Sequence, residues 1–423
     1  MKSRIVICFF IIILLVGCSA KTSINKQSIG SDVSLSEKSL QNKKVEDVND
    51  TNSDATADND KIDAKALFLK NLESVNIDAE IIKMQVVKKN LIVIVTVSGG
   101  YDDNCIVKED GMVKYHFYNT LTGEYNLITH DYLHNASYNN ISFETHEDCI
   151  VIYSGEYVVI IDNDFHITDA FSVEECVTKR YFSVERRFCV KPSTREIFYY
   201  EISKREDVFT EVYSMDYNKS NKKELMMIDV SDKYLGKISS IFNLCVSYDE
   251  KKLFFTGNCF KELSDGESAK ICYGTIDLST MEYVSFINRK KELCLLENGA
   301  LFYNDNQLNE KDNSREVVYI SNDSEKKDFF VTSNLENLNV CISDGENYFA
   351  TIVGGDMVKN GNMDETYISI YDMKMGEYFG GLKIDDNLSE MIYLEKFGMC
   401  IYPITDYSNE LYHCQVKYIE ISK

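Results

Sequence analysis

The stretch CVSYDEKKLFFT, Cys245 to Thr256, decides the fold. An alternating segment enters a tight polar turn at Asp249-Glu250-Lys251, and a strongly apolar run, Leu253-Phe254-Phe255, leaves it. This is a strand, a turn and a second strand with period-two patterning. The unit recurs as MQVVKKNLIVIVTV from Met84, SFETHEDCIVIY from Ser142, FCVKPSTREIFYY from Phe188, LCLLENGALFYN from Leu293, VCISDGENYFATI from Val340 and YLEKFGMCIYPI from Tyr393. The turns centre near Lys89, Glu147, Thr194, Glu250, Asn298, Gly345 and Phe397, at steps of 47 to 58 residues. Such steps are the length of one propeller blade.

Each of the first six copies is followed by a second strand–turn–strand, as in YHFYNTLTGEYNLI from Tyr115 and ICYGTIDLSTMEYVSFI from Ile271. Four strands per unit give one small sheet, which cannot bury both faces alone. Seven sheets arranged around an axis bury them against one another. The reading is therefore all-β: a seven-bladed β-propeller of four-stranded antiparallel sheets, with units near 77–129, 130–173, 174–228, 229–287, 288–333, 334–384 and 385–423. Two stacked β-sandwiches or one β-solenoid are the competing arrangements. The last unit ends one strand short. Residues 66–75 are expected to supply a closing outer strand, although their apolar spacing also suits a short helix.

The chain resembles the TolB-like and WD-repeat propellers. Val246-Ser247-Tyr248-Asp249-Glu250-Lys251-Lys252-Leu253-Phe254-Phe255 is close to that family's Ser-Pro-Asp-Gly-Lys turn before an apolar strand, and Ile276-Asp277-Leu278 is similar to its third-strand ending. The chain has no Trp, so the Trp-Asp dipeptide is missing. The resemblance covers about residues 77–423 and implies a fold, not a function.

The amino terminus reads as an address. Lys2 and Arg4 precede an apolar run, Ile5 to Val16, which is too short to span a bilayer. It ends in Leu15-Val16-Gly17-Cys18, which resembles a bacterial lipobox. The resemblance implies cleavage of residues 1–17, lipid on Cys18, and anchoring at the extracytoplasmic face of the membrane. An ordinary signal peptide is the alternative. Residues 18–65 read as a lipidated cysteine followed by a disordered tether: 19–65 hold no aromatic residue and are rich in Ser, Asn, Asp, Lys and Thr. A coil of that length spans about 40 Å. The propeller is placed at 66–423.

The net charge is −23, and loss of Lys2 and Arg4 takes it to −25. Nucleic acid and anionic lipid are disfavoured as partners by that charge. A basic protein, peptide or glycan is favoured, bound by a monomer. No Cys-x-x-Cys spacing occurs among the thirteen cysteines, and most lie in apolar strands, so they read as core thiols rather than a disulfide framework.

Enzyme motifs are missing: there is no Gly-x-Ser-x-Gly elbow, His-Glu-x-x-His, phosphate loop or dinucleotide fingerprint. Asp162-Asn163-Asp164 starts like an EF-hand loop but lacks its Gly and Glu. His130 and His134 have a helical metal spacing but lie in a loop sequence, and no metal site is assigned. The loops between second and third strands carry eighteen acidic and seven basic residues. Asp102, Asp103, Glu262, Asp265, Asp305, Asp356, Asp364 and Glu365 are accordingly expected to form an acidic rim that binds a cationic partner or Ca²⁺; no other cofactor is expected. A binding or scaffold module is the favoured function. A cell-surface lyase or glycosidase working in the central funnel is the alternative, with no catalytic residue identified.

Overall fold

A computed structural model describes residues 55–73, 79–99, 111–134, 141–180, 183–202, 210–228, 238–259, 270–287, 292–303, 314–332, 337–354, 366–384, 388, 390–406 and 413–421. Seven antiparallel sheets follow one another in chain order, and each falls inside one of the seven units expected from the turns. Six have four strands. The first runs Glu80–Lys88, Leu91–Ser98, Met112–Asn119 and Tyr125–Ile128, each paired to the next. The innermost strands of the other blades are Ile141–Thr145, Phe188–Lys191, Ile238–Val246, Glu292–Leu296, Asn337–Ile342 and Ile392–Leu394. A two-stranded hairpin, Val177–Arg180 with Ser183–Arg186, lies between the second and third blades in the chain.

Period-two patterning explains the ring. Neighbouring residues of a strand point to opposite faces, and here they enter different seams. Phe254 packs with Ala300 and Phe302 of the fifth blade, whereas Phe255 packs with Phe198 and Tyr200 of the third. Seven apolar clusters fill the seven seams, from the first–second seam (Val93, Phe117, Phe143, Ile150) to the sixth–seventh (Ile352, Ile370, Tyr393, Cys400). Strands buried on both faces are continuously apolar: Ile92, Val93, Ile94 and Val95 have no exposed surface. Each such side chain contributes roughly 1.5–3 kcal/mol of burial free energy.

The ring closes differently from the sequence expectation. Residues 66–73 do not form an outer strand; they belong to a helix, Ala55–Glu73, and residues 74–75 lie outside the described residues. The seventh sheet keeps three strands among the described residues. Phe68 and Leu72 of the helix are buried with Ile392, Leu394, Met399 and Ile401 of the seventh blade and Ile81, Ile92, Ile94 and Tyr118 of the first. The helix thus seals the seam between the seventh blade and the first. Phe68 and Leu72 share one face of the helix, but the same spacing shares a face in a strand, so it is packing in this seam that selects the helix. Lys65 pairs with Glu420 at 2.7 Å, and Asn71 donates to the Gly123 carbonyl at 2.9 Å. No helix among the described residues is long and apolar enough to cross a membrane.

Candidate functional site

Each inner strand ends in a tight turn, and these turns gather at one end of the axis. Four blades place a non-glycine residue there in the left-handed region: Asn90 (φ 59°), Arg195 (φ 58°), Glu250 (φ 56°) and Glu346 (φ 57°). Glutamate has no intrinsic reason to be left-handed, at a cost of roughly 1–2 kcal/mol. Its carboxylate recovers that cost by reaching the preceding blade. Glu250 accepts from the Ser193 amide at 3.1 Å and from the Ser193 hydroxyl. Glu346 accepts from the Glu297 amide at 3.1 Å. Glu395 does the same for Asn347, taking its backbone N–H at 2.9 Å and its side-chain amide at 2.7 Å. The acidic turns are therefore a belt that ties blade to blade.

Inside the belt lies a small cavity of about 20 Å³ that opens at the mouth. Val87, Phe143, Leu295, Leu296 and Ile342 make apolar walls, and Tyr248, Glu297 and Glu346 hold the lip. Burial, and then the neighbouring Glu297, push the Glu346 carboxyl up to about 7; Lys89 and the Glu297 N–H act in the opposite sense. Burial also lifts the Tyr248 phenol to about 12, helped by Glu297, Glu147, Glu346 and Asp148.

One cation crosses the lip. Lys88 of the first blade donates to the Glu147 carbonyl at 2.9 Å and to Asn163 Oδ1 at 3.2 Å, and lies 5.6 Å from the ring centroid of Tyr248 in the fourth blade. In a seven-membered ring the fourth blade is as far from the first as a blade can be, so this contact spans the mouth.

Deeper along the axis, Lys83 and Glu390 pair at 3.1 Å, and Glu390 also accepts from the Met84 amide at 2.7 Å. Register shifts interrupt the first inner strand on both sides of Met84. Glu390 holds the Lys83 ammonium above its ordinary value, outweighing burial. The nearby Cys294 and Cys341 thiols are pushed by burial to about 12 and about 11, which keeps them protonated and unreactive. Cys149, Cys176, Cys189, Cys245, Cys272 and Cys400 are buried, and Cys294 and Cys341 are half-buried, as core thiols should be.

The histidines take structural places. His116 bridges Thr96 at 2.8 Å and Tyr125 at 3.1 Å. His130 and His134 flank a short helical turn, Asp131–Leu133, and His130 accepts the Tyr132 amide at 3.2 Å. His146 is buried in the second blade's turn, and burial lowers it to about 4, so it is neutral beside Glu250 at 3.9 Å. Asp162, Asp164 and His166 bring ligand atoms within 4.8 Å of one another, the one such group found among the described residues. Asp162 Oδ1, however, accepts the Asp164 and His166 amides at 3.0 and 2.8 Å. Asn119, Asp277 and Asp372 close the matching turn of other blades in the same way. That is an Asx turn, and it accounts for the recurring Ile276-Asp277-Leu278 phrase.

Cys18 and the predicted acidic rim, Asp102, Asp103, Glu262, Asp265, Asp305, Asp356, Asp364 and Glu365, lie outside the described residues. The strands those loops join end at the rim opposite the belt. Sequence reading missed the belt's mouth, although its residues were in view. Glu147, Glu250 and Glu346 stand within the turns used to count blades, and nothing local shows that ring closure gathers those turns at one end of the axis.

No protein family matches the chain, and no curated protein does. Among solved structures it is similar to an acylaminoacyl peptidase of Pyrococcus horikoshii, at 10% identity and TM-score 0.36 over 83% of this chain and 47% of that one. The chain thus spans about half the length of that peptidase. Others are the β-propeller domain of the Trilobed protease from Pyrococcus furiosus (12% identity, TM-score 0.34, 82% and 85% coverage) and an uncharacterized protein of Listeria monocytogenes (14%, 0.40, 76% and 88%).

Proposed function

We propose that this protein is a lipid-anchored, extracytoplasmic binding module whose propeller takes a cationic partner at the axial mouth. Glu297 and Glu346 beside one apolar-walled cavity are the observation that carries this reading. A carboxyl raised to about 7 by burial and a neighbouring carboxylate is a site short of positive charge. An arriving cation relieves that repulsion, and a low-dielectric funnel strengthens the attraction. Lipid on Cys18 holds the chain at the extracytoplasmic face of the membrane.

The same pair favours a second reading. A raised carboxyl next to another carboxylate is also the pattern of a glycosidase acid with its partner. Binding is the stronger reading because both Glu346 oxygens face the Glu297 amide, at 3.1 and 3.3 Å, which engages Glu346 in the turn.

Calorimetric titration of the mature protein with oligolysine and with oligoglutamate tests the proposal. Oligolysine should bind, and more weakly as salt is added. No oligolysine binding, or equal binding of oligoglutamate, would refute it. Release of a chromophore from aryl glycosides, lost in Glu346→Gln, would instead establish the enzyme.

A further inference from the structure

Lys88 does more than cross the mouth. Its ammonium has three N–H donors. Two of them meet oxygens, the Glu147 carbonyl at 2.9 Å and Asn163 Oδ1 at 3.2 Å. The Tyr248 ring lies 5.6 Å away on the remaining side. Two neutral oxygens and an aromatic face make a receptor for a primary ammonium group, because each donor has a partner and the ring quadrupole attracts the charge. Asn163 is fixed in the orientation this requires: its own amide donates to the same Glu147 carbonyl at 3.2 Å, which turns Oδ1 toward the cation. Tyr248 is also a wall of the cavity, so the receptor opens directly into it. The carboxylates whose charge Tyr248 feels, Glu297, Glu147, Glu346 and Asp148, surround the same point.

We infer that Tyr248, the Glu147 carbonyl and Asn163 form a subsite for a primary alkylammonium group, and that Lys88 is its tethered occupant. This rests on the cation-binding reading above and names the chemistry of the ligand. A free polyamine and a lysine side chain of a basic protein both carry the group. Either must displace Lys88, which competes at the millimolar effective concentration typical of a short tether. Removing Lys88 should therefore tighten alkylammonium binding by about tenfold or more. The Lys88 stem enters from the end of the inner strand, so truncation vacates the subsite and leaves its walls in place.

The test is chemical rescue. Lys88→Ala should melt below wild type, and n-butylammonium should restore its melting temperature, whereas tetramethylammonium at equal ionic strength should not, because it has no N–H to donate. Lys88→Met, whose apolar stem fills the space, should not respond to the amine. Adding Tyr248→Leu to Lys88→Ala should abolish the rescue. Stronger rescue by spermidine than by a lysyl peptide identifies a free polyamine, and the reverse order a basic protein. Equal rescue by tetramethylammonium, or none by n-butylammonium, would overturn the inference. If oligolysine still binds the wild-type protein in that event, the broader reading stands and only the subsite fails. An independent check uses the wild-type chain alone. Lys88 should be acetylated about tenfold more slowly than its exposed neighbour Lys89, and equal rates would overturn the assignment.

Discussion

The Asp344 carboxylate accepts a hydrogen bond from the Thr120 hydroxyl at 2.5 Å, and so joins the sixth blade to the first across the turn of the seventh. Its other oxygen takes the Glu395 amide of the seventh blade at 2.8 Å. The Asp344 carbonyl takes the Asn90 amide of the first blade, and the Asp344 amide donates to Tyr393 of the seventh. One buried residue therefore clasps three blades at the place where the ring closes. Asp344→Ala leaves two donors without their acceptor and should cost about 2–6 kcal/mol, at roughly 1–3 kcal/mol per buried orphan. Asp344→Asn retains an acceptor and should cost less. Urea unfolding measures both, and an alanine variant as stable as wild type would remove the clasp from the explanation of closure.

Two glycines separate backbone strain from lost docking. Gly398 has φ +61° and nothing within 4 Å of an added Cβ, so Gly398→Ala should cost only about 1 kcal/mol of left-handed strain. Gly123 has φ +77°, and its Cβ would stand 2.7 Å from the Ala64 carbonyl of the sealing helix. Gly123→Ala should therefore cost more than Gly398→Ala, and amide exchange should rise across Ala64–Leu72 in Gly123→Ala alone. Equal costs, with the helix equally protected, would show that the helix does not depend on this approach.

Glu346 supplies a pH signature. Its carboxyl is raised from 4.5 to about 7, so the folded state binds this proton more tightly than the unfolded state does. Stability from this group is present below the unfolded value and is lost as pH rises toward the folded one. The Asp344 carboxyl is also raised, chiefly by burial, and acts in the same direction. Glu346→Gln should thus gain stability relative to wild type as pH climbs from about 4.5 to about 7, then hold a constant difference. Denaturant midpoints across that range measure it. A difference that stays flat, or moves the other way, would show that Glu346 titrates normally.

The anchor is tested separately from the propeller. Cys18→Ala should leave the protein uncleaved or released from the membrane, and a fatty-acid analogue should label wild type but not the variant. Equal labelling of the two would exclude lipid on Cys18.

Blade number was legible because the turn chemistry repeats. Asn90, Arg195, Glu250 and Glu346 recur in the inner turns of the first, third, fourth and sixth units, and the apolar runs beside them need two buried faces. Closure was not legible. Phe68 and Leu72 satisfy strand-like and helix-like spacing alike, and only the seam between Ile392 and Ile92 selects the helix. The mouth was hidden for a related reason. Lys88 and Tyr248 lie 160 positions apart in the chain, and each reads locally as a solvated turn residue. Their contact exists because seven similar sheets return the chain to one axis. Acid counting pointed to the long loops of the other rim, which lie outside the described residues.

Which end of the axis holds the cation is the most direct test. Calorimetry with spermidine should compare wild type, the mouth variant Glu297→Gln/Glu346→Gln, and the opposite-rim variant Asp102→Asn/Asp103→Asn/Asp356→Asn/Asp364→Asn. The mouth variant should lose affinity by about tenfold or more, the equivalent of at least 1.4 kcal/mol, while the rim variant stays close to wild type. Loss confined to the rim variant, or equal loss in both, would contradict cation binding at the mouth.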